Sequence, residues 1–360
     1  MDLRMPRGGF LMRRLYIGTY TRKSASKGIY AAEFDPIDGA LILTGDTPSE
    51  NPSFIATNKA GTRLYTVNES PGGAGNASAY AVETGTGALS FLGMVSAHGV
   101  SPCFIGLDAS ERFAILTNYS SGTIALYPLD DNGALTEASS VITHEGASAH
   151  PKRQTRPYAH SFILDDEGRV IVADLGMDKL MVYRIDQGGA SPSLVFEGSG
   201  STPPCSGPRH MVFDAGYKRL YVAGEIASNV TVFAYDSRAG SMEMIQCLSA
   251  LPEGFDGNST AADIHLSPDG RYLYTSNRGH DSIAVFSVDP DSGKLAFINT
   301  CPSGGKTPRN FVIDPSGRWL LAANQDTGNI CVFSRDAKTG TLEKASEISV
   351  PTPVMILFMI

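Results

Sequence analysis

A chain of 360 residues, 42% hydrophobic and 18% charged, has apolar side chains enough for a large core and is no disordered sequence. Its formal net charge of -8 argues against a nucleic-acid or anionic-membrane partner, since either asks for a basic face. The five cysteines lie at least thirty residues apart, which suggests neither a disulfide framework nor a zinc site and points to the reducing cytoplasm.

The opening MDLRMPRGGFLMRR is basic without the apolar run of a secretory signal. Residues 1–12 are therefore expected to be a disordered or mis-annotated extension, and 13–360 a single domain. Strand-like segments LYIGTY, GIYAAEFD and ALILTGD come next. From Pro52 onward a four-piece unit recurs: a short strand, a polar turn, an apolar strand, then two further strands. The units open at 52, 102, 157, 208, 261, 308 and 353, with spacings between 45 and 55 residues. Second strands such as RLYTVNE, FAILTNY and WLLAANQ, and third strands such as TIALYPLD and SIAVFSVD, are rich in β-branched and aromatic residues.

Four antiparallel strands repeated at this spacing predict an all-β, seven-bladed β-propeller. The first unit lacks a first strand, and the C-terminal PVMILFMI, far shorter than the roughly 20 residues that span a bilayer, is expected to supply it and close the ring. A solenoid would have no use for such a tail. A closed ring protects its own edges, so the chain is expected to be a monomer or weak homodimer.

In such a blade, first-strand starts and second-strand ends meet at one mouth of the central channel. The second strands end in Asn68-Glu69, Asn118-Tyr119, Asp174-Leu175, Gly224-Glu225, Asn277-Arg278 and Asn324-Gln325. After each opening position stand Ser53, Cys103, Tyr158, Arg209, Ala262, Arg309 and Val354. Two residues further, facing the same way, the column is Ile55, Ile105, His160, Met211, Ile264, Phe311 and Ile356, with His160 its one polar member. Arg209, Arg278 and Arg309 around Glu225 and His160 suit an anionic ligand, because guanidinium groups bind carboxylate or phosphate bidentately. Asn277, Asn310, Asn324, Glu69 and Tyr158 are expected to add substrate contacts. Lys152 and Arg153 fall on a loop expected at the rim.

Other motifs are silent. PGGAGNA has no helix to carry a phosphate, and no Gly-x-Ser-x-Gly elbow occurs. His98, His144, His150, His265 and His280 do not repeat at metal-ligand spacing, so no metal and no cofactor is expected. Trp319 is expected in the core.

From Arg13 to the end the sequence resembles the bacterial 6-phosphogluconolactonases of seven-bladed propeller type, relatives of the fungal carboxy-muconate cyclases. The likeness rests on YIGTYT, PYAHSFIL, GPRHMVF before LYVAGEI, DIHLSPDGRYLYTSNRGHDSIAVF and GGKTPRNFVIDPSGRWLLAANQ. It implies a metal-independent lactonase acting on a small anionic sugar lactone, with His160, Arg209, Glu225 and Arg278 as the catalytic set. Where the family often writes Pro-His-x-His-Ser, this chain has Pro157-Tyr158-Ala159-His160-Ser161. Two alternatives stand beside lactone hydrolysis: cyclisation of a carboxylated muconate at the same site, and a non-catalytic propeller presenting its rim to a protein.

Overall fold

The computed structural model describes residues 12–70 and 73–359. The expected extension therefore lies, except for Met12, outside the described residues. Twenty-eight strands and no helix are present among them, arranged as seven four-stranded antiparallel sheets.

Blade 1 is made by the strand Arg13–Thr19, its two successors, and the C-terminal strand Pro353–Phe358, which pairs with Arg13–Thr19 as the innermost member. The apolar tail thus closes the ring as expected. Blades 2 to 7 begin with the innermost strands Ile55–Thr57, Pro102–Leu107, Ala159–Leu164, Pro208–Phe213, Thr260–Leu266 and Pro308–Ile313. Each innermost strand packs beside those of the two neighbouring blades, and the last meets the C-terminal strand.

The middle strands are apolar almost throughout because both faces of every sheet are covered. Thr123–Leu126 and Phe113–Asn118 are wholly buried. Seven apolar clusters result, each between two neighbouring blades. Outermost strands such as Leu342–Ser349 alternate between half-buried and exposed residues, as strands with one wet face do.

Hydrogen bonds latch blade to blade. Hydroxyls of Tyr16, Tyr65, Tyr221 and Tyr274 donate to the carbonyls of Gly87, Gly133, Gly293 and Gly340 in the next blade's outer turn. Between blades 7 and 1 the latch is Trp319, whose Nε1 donates to the Pro36 carbonyl at 3.0 Å. Gly39 has φ +76°, and a Cβ there would sit 2.7 Å from the indole, so turn geometry and close approach both require glycine.

One part of the strand reading shifts. Six of the seven innermost strands carry an irregularity near their first residues, between Pro102/Phe104, Ala159/Ser161, Pro208/Met211, Ala261/Ile264, Pro308/Asn310 and Pro353/Met355. Blade 4 is therefore in register from Ala159, which pairs with Asp174 as Pro102 pairs with Asn118, and not from Pro157. His160 is no polar exception in an apolar column. It belongs with Ser53, Cys103, Arg209, Ala262, Arg309 and Val354, and Phe162 takes the apolar position. The shift of two residues keeps the side chain on the same face, so the placement of His160 at the channel survived it.

Candidate active site

Two columns build the mouth of the channel. The first is the residue at the bulge of each innermost strand. A bulge sets two residues against one and re-aims a side chain, and here it directs Cys103, His160, Arg209 and Arg309 inward. The second column stands at the end of each second strand: Tyr20, Glu69, Tyr119, Leu175, Glu225, Arg278 and Gln325. Members of both meet in a cavity of about 240 Å³ lined by Tyr20, Glu69, Cys103, Tyr119, His160, Glu225, Arg278 and Arg309.

In several blades the residue just before the member of the second column is an anchor. Asn118, Asn277 and Asn324 are fully buried, and their Nδ2 groups donate to the carbonyls of Ala97, Ala250 and Ser303 on the segments entering each blade. Asp174 acts as an acceptor instead, its Oδ2 lying 2.6 Å from His144 Nδ1 on the segment entering blade 4. Asn277 and Asn324, expected as substrate contacts, thus hold the crossovers and do not line the cavity. Asn310 is also turned elsewhere: Nδ2 donates to Asp263, and Oδ1 accepts from the Ile356 N–H at 2.8 Å. Tyr158 stands behind Tyr119, the ring centres 4.8 Å apart, with its N–H bonded to Asp174 Oδ1.

Glu225 is the electrostatic hub. Its Oε2 accepts from Arg209 Nε at 3.1 Å and Arg278 Nη2 at 2.8 Å, and its Oε1 from Arg153 Nη2 at 2.5 Å. Burial opposes its charge, but Arg278, Arg209 and Arg153 outweigh that and hold the carboxyl well below the usual carboxylate range. Arg153 arrives from the long connection between Thr143 and Ala159, which Gln154 pins by donating to the Leu175 carbonyl at 2.8 Å. Arg209 Nη1 and Arg278 Nη2 also donate to the carbonyls of Ala262 (2.7 Å) and Ala261 (2.9 Å). Burial and the charges of Arg278 and Arg309 bring Arg209 down to about 10, so it remains a cation at neutral pH.

Across the cavity the Tyr20 hydroxyl donates to Glu69 Oε2 at 2.7 Å, and the Arg309 guanidinium lies over the Tyr20 ring, 5.4 Å from its centre. Four guanidinium groups against two carboxylates leave the mouth cationic inside an anionic protein. Burial, then Arg209, His210, Arg309 and Arg278, hold the His160 imidazole well below the ordinary histidine range. It is neutral at pH 7 and lines the cavity. Its Nδ1 is buried and unpartnered, so Nε2 is the nitrogen facing the open space.

The sequence placed His160, Glu225, Arg278, Arg309 and Glu69 on this cavity, with Arg209 immediately beneath. It missed Tyr20, although Thr19-Tyr20 continues the second-strand column into blade 1. The role of Cys103 as a lining residue and the presence of His210 beside Arg209 were also missed. Among the described residues no group of three His, Cys, Asp or Glu is set to hold a metal ion.

Residues 14–358 match the family described as lactonase, 7-bladed beta-propeller. The chain belongs to this lactonase family, and with this fold and mouth it is a lactone-hydrolysing enzyme. It is 40% identical to the 6-phosphogluconolactonase of Bacillus subtilis (strain 168) over 299 residues, 82% of this chain and 84% of that one. It is 32% identical to the 6-phosphogluconolactonase of Formosa agariphila over 304 residues, 82% and 85% of the two chains. Among solved structures, the periplasmic gluconolactonase of Pseudomonas aeruginosa superposes with a TM-score of 0.89 at 32% identity, covering 97% of this chain and 99% of that one. A Bacteroides fragilis NCTC 9343 protein reaches a TM-score of 0.90 at 34% identity, covering 96% and 98%.

Proposed function

We propose that the chain hydrolyses 6-phospho-D-glucono-1,5-lactone to 6-phosphogluconate at the channel mouth. The names of the two bacterial relatives suggest the substrate. The observation that carries the site assignment is a neutral, cavity-facing imidazole enclosed by an excess of guanidinium groups. His160 Nε2 takes a proton from a water that attacks C1 of the lactone. Arg278, with Arg209 behind it, stabilises the tetrahedral oxyanion, for which one well-placed donor is worth roughly 2.7–4 kcal/mol. As the C1–O5 bond breaks, the His160 imidazolium returns the proton to the departing ring oxygen. The product carries a hydroxyl at C5 and a carboxyl at C1, which releases its remaining proton to solvent to become the carboxylate.

Glu225 is not the base in this reading. Both its oxygens are occupied by arginines, which leaves neither free to take a proton from an attacking water. Its role is to fix three guanidinium groups in place. Arg309 and Arg153 are the groups for the 6-phosphate: Arg309 faces the cavity beside Tyr20, and Arg153 comes in from the rim. The five unpaired cysteines suit the cytoplasm, where the pathway consuming this lactone would operate.

In a dehydrogenase-coupled assay with freshly generated lactone, the protein should accelerate hydrolysis, and His160→Ala and Arg278→Ala should each cut the rate at least about tenfold. Unchanged rates in both variants would remove the residue assignment, and no acceleration by wild type would remove the substrate. A muconate cyclase would instead consume the ultraviolet chromophore of a carboxylated muconate.

A further inference from the structure

One layer below the cavity, the residue following each bulge position lies deeper in the channel. In blades 5, 6 and 7 these are His210, Asp263 and Asn310, all buried. His210 Nδ1 lies 2.7 Å from Asp263 Oδ1. The Asp263 carboxylate also receives Asn310 Nδ2, the N–H groups of Ile264 (3.0 Å) and Phe311 (3.2 Å), and His265 Nε2 at 3.0 Å. A carboxylate so surrounded only accepts, so the hydrogen of His210 sits on Nδ1 and its Nε2 bears a lone pair.

That Nε2 is buried and has no partner, and so is His160 Nδ1. The two rings are neighbours, their centres 5.3 Å apart. Phe54 and Phe104 stand edge-on to His210 at 5.9 and 5.7 Å and offer it no hydrogen-bonding alternative. Two buried, unpartnered nitrogens thus lie in adjacent rings, and leaving each without a hydrogen bond costs about 1–3 kcal/mol.

We propose that His210 is a positioning residue: Asp263 fixes its tautomer, and its Nε2 holds the Nδ1–H of His160, directly or through one buried water. His160 then keeps its Nε2 lone pair toward the substrate. When His160 takes a proton at Nε2, the imidazolium has Asp263 two links away as a counter-charge against the arginines. The catalytic consequence rests on the base role of His160 proposed above; the tautomer itself does not.

Two substitutions separate this role from simple packing. The amide of Asn stands where Nδ1 was and that of Gln where Nε2 was. His210→Asn keeps the bond to Asp263 and loses the acceptor facing His160, whereas His210→Gln keeps that acceptor. Expected are a fall in kcat of at least about tenfold for His210→Asn, with KM within about twofold, and substantial retention of kcat in His210→Gln. The reverse ranking, or full activity in His210→Asn, would overturn the proposal. The ¹⁵N shifts of the His160 ring in the wild-type protein need neither variant nor substrate: they should report Nδ1–H, and an Nε2–H tautomer refutes the inference even if lactonase activity is confirmed. Nδ1–H in a protein without lactonase activity would leave the His210 contact standing and remove only the substrate.

Discussion

Glu225 shows how one side chain organises a cationic site. Removing a single partner from a buried charge cluster typically costs about 3–5 kcal/mol, and Glu225→Gln would leave Arg153, Arg209 and Arg278 facing one another uncompensated. A marked fall in Tm is expected by calorimetry, and millimolar inorganic phosphate should restore more of it in the variant than it adds to wild type. An equal phosphate effect in both would mean that the anion binds elsewhere. The histidines set a pH dependence. Burial, chiefly, brings His210 down to about 4, against about 6.5 in an unfolded chain. The unfolded state therefore binds more protons between those values, and stability should drop as pH is lowered through that window. Glu225, held low, adds a loss beginning near the ordinary glutamate value of about 4.3 and continuing below it. Denaturation midpoints from pH 6 to pH 4 should fall steadily, and a flat profile would contradict buried neutral imidazoles at His160 and His210.

At the scale of the strand, the bulge makes the site. It places His160 and Arg209 in equivalent positions of neighbouring blades, and it is also the feature that sequence reading handles worst. Alternation counts every second residue, so a strand with one extra residue still appears regular. The proline at 157 then drew the blade 4 register two places too early. The polar pairs closing the second strands were legible because charged and amide residues stand out against apolar strands. Which member of a pair faces the ligand was not, since Asn277 and Asn324 are spent on crossover carbonyls that only the folded chain brings near. Asn324→Ala should accordingly cost about 1–3 kcal/mol of stability in denaturant titrations while KM stays within about twofold. A selective rise in KM without destabilisation would return Asn324 to the ligand.

The ring converts local repetition into one site. The blade count and closure by PVMILFMI were legible because they follow from spacing and from an apolar tail with no other use. The latch of Trp319 onto Pro36 was not, as it joins residues 283 apart in sequence. What closure achieves is convergence: Tyr20 and Arg309 from blades 1 and 7 meet His160 and Glu225 from blades 4 and 5 across a single channel. A crystal structure with bound 6-phosphogluconate tests that convergence most directly. The product carboxylate should lie beside His160 Nε2 and Arg278, with the phosphate on Arg309 or Arg153. Product bound away from the channel mouth, with this cavity holding solvent alone, would contradict it.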